Sequence, residues 1–142
     1  MSGGQEITLE FELKAAIFDV AGEASSKTKR VLQQIGIRAD VIRRIAISAY
    51  EGEINTIIHS CGGVMRVVIF CDHTEISFED QGPGIVDINL AMQEGYSTAS
   101  DEVREMGFGA GMGLPNMARC TDKFDIQSEV GVGTKIKMVV FH

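Results

Sequence analysis

The sequence predicts an α+β fold, a two-layer sandwich in which helices cover one face of an antiparallel or mixed sheet. Three observations carry this. Ile7, Leu9, Phe11 and Leu13 alternate with Thr8, Glu10 and Glu12, the period-2 pattern of a half-buried strand. Two long segments then place apolar residues at helical spacing. Two later pairs of short alternating runs, each joined by a turn, read as hairpins.

The elements follow in order. Residues 7–13 form the first strand, and Ala16 to Val20 continue it after an irregularity. A helix is expected from about Glu23 to Ile35, with Val31, Leu32 and Ile35 on one face and Lys27, Lys29 and Arg30 on the other. Gly36 stops it. Asp40 is a natural N-cap for a second helix reaching about Ile58, striped by Val41, Ile42, Ile45, Ala49 and Gly52. Gly62-Gly63 turns the chain. Val64–Cys71 and Glu75–Glu79 make a hairpin around Asp72-His73, with Ile76 and Phe78 inward. Val86 to Met92 is a short helical segment. Residues from Gly95 to about Met112 are rich in Gly, Ser and Thr, too long for an ordinary connection, and are read as a lid. Leu114 to Cys120 is a helix with Pro115 in its first turn, where a missing N–H costs little. Phe124–Glu129 and Thr134–Val140 form the last hairpin, closed by Gly131-Val132-Gly133.

Composition bounds the function. A chain of 142 residues reads as one domain, residues 7–142, behind a flexible leader at 1–6. A net charge of −7 leaves no basic stripe for a phosphate backbone, so nucleic acid is not the expected partner. Cys61, Cys71 and Cys120 form no CxxC pair, which fits free thiols in a reducing cytoplasm. There is no signal-peptide pattern and no apolar run of membrane-spanning length, so a cytoplasmic protein without a membrane is expected.

Four segments carry chemistry. Glu51 and Asn55 stand four residues apart on one helix face that borders the apolar stripe. They read either as a solvated polar pair or as a base and a magnesium ligand, since an amide oxygen is a hard donor. Asp80-Gln81-Gly82-Pro83-Gly84 follows a strand. It is either a tight turn or a carboxylate at the sheet edge that accepts a hydrogen bond from an exocyclic amine such as adenine's. Gly107-Phe108-Gly109-Ala110-Gly111-Met112-Gly113 has a glycine at every second position before a helix, which suits a nest of N–H groups around phosphate. It is neither a GxxxxGK[ST] loop nor a dinucleotide fingerprint. Gly131-Val132-Gly133-Thr134 is a hairpin turn whose Thr hydroxyl could support the base-binding Asp. His59, one turn beyond Asn55, reads as a helix-end histidine rather than a catalyst. Met106 and Met112 read as packing for the lid.

In this order and within one small domain, Glu51-x-x-x-Asn55, Asp80-x-Gly82-x-Gly84, Gly107-x-Gly109-x-Gly111-x-Gly113 and Gly131-x-Gly133-Thr134 resemble the nucleotide-binding boxes of the GHKL ATPase superfamily. The resemblance runs from about residue 7 to residue 141. It implies a two-layer α/β sandwich of the Bergerat type, its sheet mixed but mostly antiparallel. Within the superfamily the chain is similar to the small anti-sigma-factor serine/threonine kinases, including the switch-kinase branch. Ile45 to His59 and Gly107 to Pro115 match most closely. Thr56 stands where alanine is usual, and His59-Ser60 where His-Gly or His-Ala is common.

The resemblance implies roles. Asn55 would hold Mg²⁺ bridging the phosphates of ATP, and Glu51 would be the general base for a partner's Ser or Thr hydroxyl. Asp80 would read the adenine amine, with Gly82, Gly84, Ile85 and Thr134 beside it. Gly107, Phe108, Gly109, Ala110, Gly111, Met112, Gly113 and Leu114 would form the phosphate-contacting lid, and Arg104 is a candidate for reaching the γ-phosphate. The implied activity is phosphorylation of a STAS-domain anti-sigma-factor antagonist, with partner switching that extends to a sigma factor, by a homodimer. The alternatives are a nucleotide-dependent protein-binding module without phosphotransfer, an ATP-hydrolysing domain, or a glycine-rich domain without a ligand.

Overall fold

The computed structural model describes residues 6–14, 21–59, 62–85, 87–93 and 113–142. The expected continuation of the first strand over 16–20, the lid, Arg104 and Gly107 to Met112 lie outside the described residues. The alternating runs become strands β1 (Ile7–Leu13), β2 (Gly63–Ile69), β3 (His73–Asp80), β4 (Lys123–Glu129) and β5 (Gly133–Phe141). The periodic segments become helices α1 (Glu23–Gln34), α2 (Ala39–His59), a short α3 (Ile88–Ala91) and α4 (Gly113–Cys120).

The strands form one five-stranded sheet in the order β1-β2-β3-β5-β4, and all its pairings are antiparallel. β5, the last in sequence, therefore lies between β3 and β4. Its inward residues Ile136, Met138 and Val140 join Met65, Val67 and Ile69 of β2 and Ile76 and Phe78 of β3 in a core closed by Val41, Ile42, Ile45 and Ala49 of α2. The opposite face is polar. Arg66 meets Glu10 across β1 and β2 at 2.8 Å, while Lys135 and Lys137 reach Glu79 and Glu75 at 3.6 Å. Such exposed pairs add little stability each, but they keep the uncovered face wetted. Among the described residues no helix is long and apolar enough to cross a membrane.

Three boundaries differ from the sequence expectation. α1 ends at Gln34 in a Schellman turn, in which Gly36 N–H donates to Gln33 and Ile37 N–H to Leu32. The turn swings Ile35 out to 45% exposure and puts Ile37 against the core in its place. α2 begins at Ala39, because Ile42 N–H already bonds the Arg38 carbonyl, so Asp40 is a first-turn acid and not the cap. The β2–β3 turn is Cys71-Asp72, since Phe70 N–H bonds the His73 carbonyl and His73 starts β3.

Candidate functional site

The register of the sheet sets Asp80 directly opposite Thr134, and Thr134 directly opposite Ser128. Opposed residues in an antiparallel ladder share a face. The three therefore form a polar row across β3, β5 and β4, on the side that carries Phe78, Ile136 and Ile126 one pleat earlier. Asp80 closes the central strand. Its Oδ1 accepts the Gly82 N–H at 2.9 Å, which fixes the carboxylate.

Close backbone approach holds this end of the sheet together. A Cβ on Gly133 would lie 2.0 Å from the Asp80 carbonyl oxygen, and its φ of 149° is one that L side chains rarely adopt. The β4–β5 turn is pinned to the Asp80 loop by Gly131 N–H donating to the Pro83 carbonyl at 2.9 Å. Ile85 N–H donates to Ser128 Oγ at 2.7 Å. Ser128 Oγ also sits 2.8 Å from Thr134 Oγ1 and 3.2 Å from the Gly133 carbonyl. Thr134 itself is 8% exposed.

α2 brings the second group of residues. Gly52 lies against the Phe78 ring, where a Cβ would meet ring carbons at 2.2 Å. Since Phe78 is two residues before Asp80, this contact sets Glu51 and Asn55 relative to the polar row. Both are half-buried. Burial pushes the Glu51 carboxyl above its usual range, and a bond of 3.4 Å from Asn116 Nδ2 to its Oε1 works against that shift. A Cβ on Gly113, the first residue of α4, would lie 3.4 Å from Glu51 Oε2, so the helix that follows the glycine run starts beside this carboxylate. Leu114 is buried in the core behind it. Thr56 turns its hydroxyl back to the Gly52 carbonyl at 3.0 Å, so this departure from alanine is absorbed within the helix.

Of the expected site residues, the structure brings together Asp80, Gly82, Gly84, Ile85 and Thr134, and separately sets Glu51 against Gly113. His59 is the last residue of α2. Sequence reasoning missed Ser128, Asn116 and Glu53. Ser128 had a signal: it is a polar residue at an inward position, two after Ile126 and four after Phe124. Asn116, three residues into α4, had none by itself. Glu53 is 1% exposed and binds α1: Oε2 accepts N–H from Gly22 and Ala24 at 3.0 and 3.2 Å, and Oε1 accepts N–H from Ser25 at 3.1 Å. It supplies from another helix the cap that Gly22 lacks.

Residues 15–140 match the family model described as "Histidine kinase-like ATPase domain". The chain is 30% identical over 115 residues to the Serine/threonine-protein kinase RsbT of Bacillus subtilis (strain 168), covering 78% of this chain and 80% of that protein. It is 31% identical over 113 residues to the Anti-sigma F factor of Thermoanaerobacter sp. (strain X514), covering 76% of each. With the Anti-sigma F factor of Clostridium acetobutylicum it shares 33% identity over 99 residues, 66% of each chain.

Proposed function

The chain belongs to the histidine kinase-like ATPase domain family, and from that premise we propose that it is an ATP-dependent serine/threonine protein kinase of the anti-sigma regulatory type. Its substrate is a hydroxyl on a STAS-domain antagonist protein, and phosphorylation switches its partners and so controls a sigma factor. The observation that carries the reading is the Asp80–Thr134–Ser128 row at the end of the central strands, with α2 locked beside it through Gly52. A carboxylate held by a backbone N–H through one oxygen is the kind of acceptor that an exocyclic amine requires.

The roles follow from the chemistry. Asp80 and Thr134 hold the base. Asn55 offers a half-buried amide oxygen one turn from a carboxylate, a donor set that fits Mg²⁺, which keeps waters and takes phosphate oxygens as further ligands. When bound, the ion neutralises charge on the phosphates. Glu51 receives the proton of the attacking hydroxyl, and its raised affinity for protons makes it a better base than an ordinary surface carboxylate. Gly107 to Gly113 supply phosphate N–H contacts, with Arg104 as a further cation. Most of the catalysis is positioning and electrostatic stabilisation of the transferring group.

The test has two arms. Mg-ATP binding is measured by calorimetry on the folded chain; no heat of association refutes the reading. Phosphotransfer to a cognate STAS protein is then compared for wild type and Glu51→Gln, with a drop of about 10²- to 10⁴-fold expected. Unchanged transfer overturns the role of Glu51. Binding of ATP and partner with no transfer by wild type favours the second reading, a nucleotide-dependent anti-sigma module, which the anti-sigma F factor relatives motivate.

A further inference from the structure

Ser128 has one hydroxyl proton and three short polar contacts. The Ile85 N–H can only donate to it, and the Gly133 carbonyl can only accept from it. One arrangement alone turns all three contacts into hydrogen bonds. Ser128 donates to the Gly133 oxygen at 3.2 Å, accepts from Ile85 at 2.7 Å, and accepts from the Thr134 hydroxyl at 2.8 Å. The proton of Thr134 is then held inside the sheet, and the Thr134 oxygen meets any ligand with lone pairs only.

We infer that Ser128 is a specificity-determining residue that sets the hydrogen-bond polarity of Thr134, so that the site accepts a purine with a 6-amino group and rejects one with a 6-oxo group. The inference rests on the nucleotide reading above. The Asp80 carboxylate is an acceptor when ionised, and register puts it beside Thr134. Two acceptors side by side match an –NH₂ group and oppose a carbonyl oxygen. Asp80 alone would supply half of this selection. A Thr hydroxyl free to rotate would weaken it, because it could donate to the 6-oxo oxygen. Ser128 removes that freedom without touching the ligand, and it does so from the third strand of the row.

The experiment compares Mg-ATP with Mg-ITP, which differ at position 6 and at the adjoining N1 proton. Dissociation constants are measured by calorimetry for wild type, Ser128→Ala, Ser128→Thr and Thr134→Val. Wild type prefers ATP. Ser128→Ala reduces the ATP-to-ITP preference by about tenfold, the size of one hydrogen bond, chiefly by improving ITP. Ser128→Thr keeps the hydroxyl on a strand position that suits a β-branched residue and retains the preference. Thr134→Val also narrows the preference, and the Ser128→Ala/Thr134→Val pair narrows it no further than Thr134→Val alone. Equal weakening of both nucleotides in Ser128→Ala overturns the inference, because Ser128 would then only anchor the Ile85 loop. If folded wild type binds neither nucleotide, the nucleotide reading itself fails and takes this with it; ATP binding with unchanged selectivity in Ser128→Ala refutes the inference alone.

Discussion

Ser25 sets both its amide nitrogen and its hydroxyl against one oxygen of Glu53, at 3.1 and 3.0 Å, from 28 residues away in sequence. The carboxylate is buried in the joint between α1 and α2, and its other oxygen holds the amides of Gly22 and Ala24. It thus caps a helix whose own N-cap residue has no side chain, and the negative charge sits at the positive end of the helix.

Glu53→Ala would leave these donors buried and unpaired. We expect it to lower unfolding free energy by roughly 2–3 kcal/mol, read from urea denaturation. Glu53→Gln keeps one acceptor and should lose less. A midpoint unchanged in Glu53→Ala would mean that water replaces the carboxylate at no cost.

Glu51 provides a pH signature. Its carboxyl titrates above the ordinary value of 4.5, chiefly because burial penalises the charged form. The sign follows from linkage: the folded state holds this proton more tightly than the unfolded chain, so the residue's contribution to stability falls as pH rises through the interval from 4.5 to the raised folded value. Glu51→Gln should therefore be more stable than wild type at neutral pH and equal to it in acid. The acid limb of phosphotransfer should lie above 4.5. Asn116→Ala removes the bond that favours the carboxylate and should move that limb to higher pH. A limb that stays in place in Asn116→Ala would detach Asn116 from the base.

Gly133 and Gly131 form an internal comparison in one turn. Gly131 has φ of 82° and open space where a Cβ would be, while Gly133 would drive a Cβ into the Asp80 carbonyl. Gly131→Ala should cost about 1–2 kcal/mol, the penalty for a left-handed backbone. Gly133→Ala should cost more than ~3 kcal/mol and abolish ATP binding, because β3 and β5 must part at the polar row. Similar losses in the two, measured by thermal melting and calorimetry, would contradict the close contact.

Gly52→Ala tests how α2 is seated. Its methyl would enter the Phe78 ring, so the helix must lift or the ring must move. We expect a loss of roughly 1–3 kcal/mol from overpacking, with weaker ATP binding as Asn55 shifts. Phe78→Leu in the same chain should recover part of both. If the double substitution is simply additive, the two residues do not compete for the same volume.

Much of this architecture was legible in the chain. Alternation placed β1 at its observed bounds, and the stripe of Val41, Ile42, Ile45 and Ala49 is the buried face of α2. Local signals failed where two segments compete for one turn. Ile35 looked like a core residue by periodicity, but Gly36 ended the helix one residue earlier and Ile37 took the core position. Of the candidate site, glycine and acid spacing singled out Asp80 and Thr134, which the sheet register sets opposite one another. Glu53 was not legible, because it acts on a helix start 29 residues away in sequence, and the role of Ser128, although its inward polar position was visible, needed the strand register that sets it against Thr134.

The placement of β5 has a consequence for biosynthesis. As the chain leaves the ribosome, β3 emerges with β2 as one partner and with its other edge bare, and β4 emerges before there is anything for it to pair with. Only when the final strand slides into the gap do Asp80 and Ser128 acquire the Thr134 that joins them. A nascent chain halted before Gly133 would therefore lack the polar row however well its helices had already formed.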